Sequence, residues 1–532
     1  MSLDPHPRQS FVGEPLRVTP RPFWSQRTLI VLGVGLLSLG ISLWQLSVPE
    51  LQSLYNSGVY FAASYKFVSG VMPYRDFVFV QPPGIVLLLS PVTLLSRLIG
   101  THDGFIVARI LGGVVCAANA SMVAFLVRQR GRVAMIIAGA GLALVPVSFL
   151  ETSAVMLESF CVFFVLVGAL VACQKKGDGG PSVSVFALAG LFFGVAVLVK
   201  LWALLPLLAL SLLLLPRGRA KVGALAGGAI ASFGVLSLPF FVASPRDFLS
   251  QVVGAQLSRG ANPTNDLSIL GRMINLTGLS TARIITTNGE AITFFAVFVT
   301  LVGIAFLRHR HRDLVENFLL VSAILSVGAV LLSHEFYSYY AYFPAPFLVG
   351  LLAIALAEIT GPVARRVRAI DVRDSIRSLV RVVVSVTAPL LLVGLVLWDT
   401  TQYTTFDWAY GTYAPWIEIE SKYVPVGSCV LYSDVSYGIL SNRLATTDPN
   451  CPNVIDPDGM WLAAHQQWGK PSRAFVNQWR GYFEKSQYVV IPYPQVSRIP
   501  WNTVLTSWFN VHYRLVYERH YLYVYENVNP PA

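Results

Sequence analysis

The chain has 532 residues, 54% of them hydrophobic and 13% charged, with a mean hydropathy of +0.59. The charged fraction is about half that of soluble domains, which excludes a single soluble core and points to a polytopic membrane protein. A formal net charge of +11 would suggest nucleic acid in a soluble protein, but here the basic residues cluster in short loops between apolar runs, which is a topology signal and no nucleic-acid surface.

In chain order, residues 1–27 form a tail with Arg8, Arg17, Arg21 and Arg27. The apolar run from Leu29 to Leu46 is longer than the core of a signal peptide and no small-residue cleavage site follows, so it is predicted to stay as a first span. Runs long enough to span, or nearly so, occur at 28–47, 104–127, 133–150, 155–173, 182–199, 201–215, 222–243, 291–307, 314–332, 340–357 and 382–398, which predicts about eleven spans. With the N-terminal tail cytoplasmic, alternation puts "RQRGR" (128–132), "QKKG" (174–177), "PRGRAK" (216–221), "RHRHR" (308–312) and the stretch from Arg365 to Arg381 on the same, inner side.

The run "GIVLLLSPVTLLSRLIG" (84–100) contains Pro91 and Arg97, and counting it as a span would flip the later basic loops outward. It is predicted as a re-entrant or surface-lying helix in a long external excursion, 48–103, whose "VYFAASYKFV" part has the spacing of an interfacial helix. A second external loop, 244–290, is rich in charge. Residues 399–532 have soluble-domain composition. Strand-like "SCVLYSD" (428–434), "SQYVVIPY" (486–493) and "YRLVYERHYLYVYEN" (513–527), with helices around 459–468 and 472–484, predict a small extracytoplasmic α/β domain. Of five cysteines, Cys116, Cys161 and Cys173 lie in apolar runs and read as small hydrophobes, whereas Cys429 and Cys451 would form a disulfide in an oxidising compartment.

Ionisable residues at the outer ends of spans are costly, and alternation collects Lys66, Arg75, Asp76, Glu151, Glu158, Lys200, Arg259, Arg272, His334 and Glu335 on the outer side. Such a set suits a reaction in which a carboxylate removes a proton from an acceptor hydroxyl while cations hold a departing phosphate. Each member also has a plainer reading. Asp76 beside Arg75 reads equally as a local ion pair, Glu158 as a hydrogen-bond partner for a neighbouring span, and Lys200 as a side chain reaching for the interface. The run "HEFYSYYAYF" (334–343) reads as an interfacial aromatic belt.

The first span and long external loop, "PYRDFVFVQPPG" (73–84), an acidic residue at the start of the fourth span, "VLVKLWALLP" (197–206) and "HEFYSYYAYFPAP" (334–346) together resemble the GT-C superfamily of polyprenyl-phosphate-sugar-dependent glycosyltransferases. The likeness is strongest to actinobacterial envelope mannosyl- and arabinosyltransferases, and it covers roughly residues 28 to 400 in layout. It implies a GT-C-like membrane module over 28–398 and transfer of mannose or arabinose from a lipid carrier to a cell-envelope lipid or glycan, with inversion, at the outer face of the plasma membrane. It also implies Asp76 and Glu158 as the catalytic acids, with Lys200, His334 and an external Arg such as Arg259 on the carrier phosphate, and Asn56, Tyr60, Tyr74, Arg75, Gln81 and Tyr339 lining the substrate site. The family commonly opens this loop with an acid, whereas this chain has Asn56 and Ser57, and an amide cannot take a proton as a carboxylate does. The base has then moved to Asp76 or Glu158, or the chain binds without transferring. No redox cofactor is expected. Some relatives use a divalent metal, but no His/Asp cluster here has ligand spacing. A transporter or flippase of lipid-linked glycans is the rival reading; against it, no paired halves with Gly/Pro breaks are visible, and there is no P-loop for an ATP-driven pump.

Overall fold

The computed structural model describes residues 25–46, 55–174, 181–257, 267–280, 283–308, 312–369, 422–491, 498–519 and 522–529, and shows a helical bundle followed by a small mixed sheet. Helix α1 (Gln26–Leu46) is the predicted first span. Helices α2 (Tyr55–Val68) and α3 (Gly84–Ile99) occupy the predicted external excursion. Instead of the one-sided burial of an interfacial helix, α2 is enclosed all round from Ser57 to Ser64. Its polar residues are short enough to turn onto backbone: Ser57 Oγ donates to Val155 O (3.2 Å) and Ser64 Oγ to Val86 O (2.8 Å). Helix α3 buries Ile85, Val86 and Leu89, leaves Leu94, Leu95 and Leu98 facing outward, and turns at Gly100 (φ 94°) straight into α4 (Thr101–Leu126).

The predicted run 133–150 is broken into α5 (Arg132–Leu144) and α6 (Val147–Thr152), because Pro146 holds Val145 in extended backbone. Helices α7 (Leu157–Ala172), α8 (Val183–Val199), α9 (Leu204–Leu214) and α10 (Arg219–Ala243) follow the remaining apolar runs closely. The charged loop predicted after α10 contains α11 (Pro245–Leu249), a π turn at Ser250–Gly254, α12 (Ala255–Leu257) and α13 (Ile269–Leu276). Helices α14 (Asn288–Arg308), α15 (Leu314–Leu332) and α16 (Ala345–Ala369) complete the described bundle. The tenth run starts later than predicted: Ser338–Tyr342 is a 3-10 turn, and Pro344 opens the helix proper. Of these helices α1, α4, α10, α14 and α15 are each long and apolar enough to cross a membrane. The predicted span 382–398 lies outside the described residues.

In the C-terminal domain the strands β1 (Val430–Tyr432), β2 (Tyr488–Ile491), β3 (Tyr513–Arg519) and β4 (Leu522–Asn527) form one sheet of order β1-β2-β4-β3. β1 and β2 are parallel, and the long strand-like run 513–527 folds as the antiparallel hairpin β3–β4. The parallel crossover carries α17 (Ser436–Leu440), α18 (Pro457–Ala463) and α19 (Arg473–Glu484), and α20 (Thr503–His512) precedes the hairpin. Trp479, Phe483 and Phe509 pack with Val489 and Ile491 into its core. Cys429 and Cys451, which the sequence left able to pair, form a disulfide with Cα atoms 5.4 Å apart.

Candidate active site

Three helix ends meet at one end of the bundle: the start of α7 brings Glu158, the end of α8 brings Lys200, and the residues after α15 bring His334 and Glu335. These are ends that alternation assigns to a common side. At the ends that alternation assigns to the other side, Arg130 pairs with Glu316 and, at 2.8 Å, with Glu358. Lys200 is 8% exposed, is ion-paired with Glu158, and has its Nζ 4.0 Å from the Trp202 ring centroid and 4.4 Å from that of Tyr340. Glu151, also buried, accepts Ser159 N with Oε2 (3.0 Å), while its Oε1 has no hydrogen-bond partner. Two carboxylates thus crowd the N-terminal turn of α7, where the unpaired N–H groups favour negative charge.

Lys200 stands between two adjoining cavities that share Gln81, Lys200 and Tyr340 as walls. The first, of about 260 Å³, is also lined by Trp202, Gln256, His334 and Glu335. The second, of about 140 Å³, is lined from the bundle by Asn56, Tyr60, Tyr337 and Tyr339, and from the C-terminal domain by Asp456, Asp458 and Arg498. Asn56 Nδ2 donates to Tyr339 OH (2.9 Å), and the Tyr337 and Tyr339 rings stack 5.3 Å apart. The aromatic run therefore forms a cavity wall where the sequence suggested a lipid-facing belt. Aromatic faces beside polar groups suit a sugar ring.

The loop 69–83 is shaped for this site. Tyr74 adopts φ 69°, a left-handed conformation rare for an aromatic residue, and three contacts hold it there. Its hydroxyl donates to Gln81 O (2.7 Å), its carbonyl accepts from Gln251 Nε2 (3.2 Å), and its ring packs edge-on to Phe248 at 5.0 Å. Gln251 also accepts Phe79 N (2.9 Å), and Gln256 donates to Val80 O (2.6 Å), so the π turn Ser250–Gly254 and α12 anchor the strip 79–81 that walls the cavities. The Pro-Pro-Gly that ends the loop has a packing reason. A Cβ on Gly84 would lie 2.5 Å from Leu198 O and 2.7 Å from Val199 N, so α3 starts directly against the backbone that presents Lys200.

Of the residues expected at a site, the structure gathers Asn56, Tyr60, Gln81, Glu158, Lys200, His334 and Tyr339 in or against the two cavities. Tyr74 is buried behind Gln81. Arg75 and Asp76 line neither cavity: Asp76 accepts from Arg75 Nε (2.8 Å) and from Met72 N (2.7 Å) in an exposed turn. The guanidinium of Arg75 holds the Asp76 carboxyl below the usual carboxylate range, with partial burial opposing and the Met72 N–H assisting. Arg259 lies outside the described residues. Arg272 is buried, and donates to Leu267 O (2.8 Å), Leu331 O (2.8 Å) and Ser333 O, stapling the end of α15 beside His334. Asp456, Asp458 and Arg498 had no signal in the sequence, since "DPDG" reads as a turn. Among the described residues no three His, Cys, Asp or Glu side chains converge as metal ligands.

The model of glycosyltransferase family 87 matches residues 79–334, from the cavity strip to His334. No curated protein matches the chain by sequence. The fold is similar to that of ArnT from Cupriavidus metallidurans bound to undecaprenyl phosphate, at 15% identity and TM-score 0.57 over 94% of this chain and 98% of that one. The apo state of the same protein gives 16% identity and TM-score 0.58 over 94% and 97%. The oligosaccharyltransferase of Archaeoglobus fulgidus, in complex with zinc and sulfate, gives 14% identity and TM-score 0.50 over 87% of this chain and 67% of that one. The chain thus shares the fold of ArnT, and its residues 79–334, just under half of its length, are similar to glycosyltransferase family 87.

Proposed function

We propose that the protein moves a sugar, mannose or arabinose, from a polyprenyl-phosphate carrier to a hydroxyl of a cell-envelope lipid or glycan, inverting the anomeric centre, at the outer face of the plasma membrane. The observation that carries this reading is Lys200, a buried ammonium at the junction of two cavities, one with His334 and the other with stacked tyrosines. A fixed cation in a water-poor site stabilises a leaving phosphate far more than a solvated one does. That ArnT, of similar fold, holds undecaprenyl phosphate supports the choice of carrier. In this reading Lys200 and His334 bind the carrier phosphate, Glu158 fixes the ammonium between the Trp202 and Tyr340 faces, and the tyrosine-lined cavity takes the acceptor.

The test is transfer of radiolabelled sugar from a panel of polyprenyl-phosphate donors by membranes holding wild type, Lys200→Met or Glu158→Gln. The expected result is transfer from at least one donor by wild type and a loss on the order of 100-fold in both variants at equal expression. Full activity in Lys200→Met would remove the reading. Donor binding by wild type without turnover would favour a non-catalytic binder, for which the amide at Asn56 is the motive.

A further inference from the structure

We infer that Asp458, from the C-terminal domain, is the general base that takes the acceptor's proton. This rests on the transfer reading above and names the group it lacks. Position 56 offers an amide tied to Tyr339, and Asp76 is committed to its own turn away from both cavities. Glu158 is 1% exposed in its side chain and is spent on Lys200.

The acceptor-side cavity still has two carboxylates in its wall, Asp456 and Asp458. Asp456 is 7% exposed and caps α18: its Oδ1 accepts from Gly459 N (2.9 Å) and from Tyr55 OH (2.9 Å). Asp458 differs. Its side chain is 33% exposed, among the described residues only its Oδ2 is engaged, by Arg498 Nε at 2.8 Å, and its backbone N donates to the same Tyr55 hydroxyl (3.0 Å). The Arg498 guanidinium lies 3.7 Å over the Tyr55 ring, so Tyr55 and Arg498 together hold Asp458 in the wall of the cavity. Tyr55 adjoins Asn56, which places this carboxylate beside the position where the sequence lacks one.

The acceptor hydroxyl gives its proton to the Asp458 carboxylate as its oxygen bonds the anomeric carbon. The bond from that carbon to the phosphate oxygen breaks, its electron pair leaves with the polyprenyl phosphate, and Lys200 faces the new charge. The paired tyrosine rings beside Asp458 fit an acceptor hydroxyl carried on a sugar.

The test uses full-length protein in membranes and compares wild type, Asp458→Asn, Asp458→Glu and Lys200→Met in transfer, in binding of the polyprenyl-phosphate donor, and in transfer to azide, a nucleophile with no proton to lose. Asp458→Asn is expected to lose at least 100-fold in transfer, to bind donor as wild type does, and to regain sugar release as the glycosyl azide. Asp458→Glu should keep part of the activity with a shifted pH profile. Wild-type transfer by Asp458→Asn overturns the inference, and so does an inactive Asp458→Asn that azide does not revive; in either case a dead Lys200→Met leaves the transfer reading standing. A wild type that turns over no donor sinks both.

Discussion

Asp76 shows how far a residue's role depends on what it touches. Residue type and placement in "PYRDF" made it the leading acid, but its two oxygens serve Arg75 and Met72 in an exposed turn. Its lowered titration means that the charged form is favoured in the folded state. The contribution to stability is present above the ordinary carboxylate value and disappears only as pH falls through the lower, folded value. Between about pH 5 and 8 nothing at this residue should titrate. Asp76→Asn is therefore expected to keep transfer within about threefold, with an unchanged pH profile over that range, because an exposed ion pair is worth little. A profile of kcat/KM against pH checks it: an Asp76→Asn enzyme that loses transfer and, with it, the acidic limb would return the base to this residue. Tyr74, by contrast, lines neither cavity, yet its hydroxyl donates to Gln81 O.

At the scale of elements, long unbroken apolar runs were readable and their ends were not. Runs such as 222–243 and 314–332 carry enough apolar surface that only a helix satisfies their backbone, and they fold as α10 and α15. Pro146 split another run into α5 and α6 because its ring restricts the residue before it, a local rule that a long hydropathy window averages away. The enclosed state of α2 was hidden for a different reason: besides α3 and α4 it packs on a partner some 370 residues downstream, the α17 segment, and no local pattern reports that. The same separation hid Asp458 and Arg498, whereas Glu158, Lys200 and His334 were legible because helix ends and alternation place them. Gly84 is the test of element packing. The Cβ of Gly84→Ala would press on Leu198 O and Val199 N, both backbone atoms with nowhere to yield. Overpacking of this kind costs about 1–3 kcal/mol, and the displaced strip carries Lys200. The expected outcome is a lower melting temperature together with a loss of transfer greater than that loss of stability explains, measured by thermal unfolding in detergent beside the transfer assay; wild-type values in both would show that α3 can stand off from α8.

For the whole molecule, the question is why a membrane module should carry its small sheet domain clamped on top. The domain docks through polar and close contacts onto α2 and the first turn of α4. Thr101 Oγ1 donates to Ile439 O (2.8 Å), His102 N donates to Asn442 Oδ1 (3.0 Å), and Tyr55 bonds both Asp456 and the Asp458 backbone. At the centre, a Cβ on Gly58 would meet Ser436 Cβ at 2.9 Å and Ser436 N at 3.0 Å, so α2 and α17 touch backbone to backbone. Such an interface does not tolerate a branched side chain. Gly58→Val should push the domain off α2 without unfolding it, since its own core and the Cys429–Cys451 disulfide lie away from the contact. If the acceptor cavity exists only when both modules close it, the variant will exchange the amides of 436–442 faster and lose at least about tenfold in transfer, the equivalent of 1.4 kcal/mol of lost docking, while donor binding at Lys200 survives. Faster exchange with undiminished transfer would mean that the domain merely rests on the module. The opposite pairing, slow transfer with unchanged exchange, would trace the defect to α2 itself, one turn from Asn56 and Tyr55.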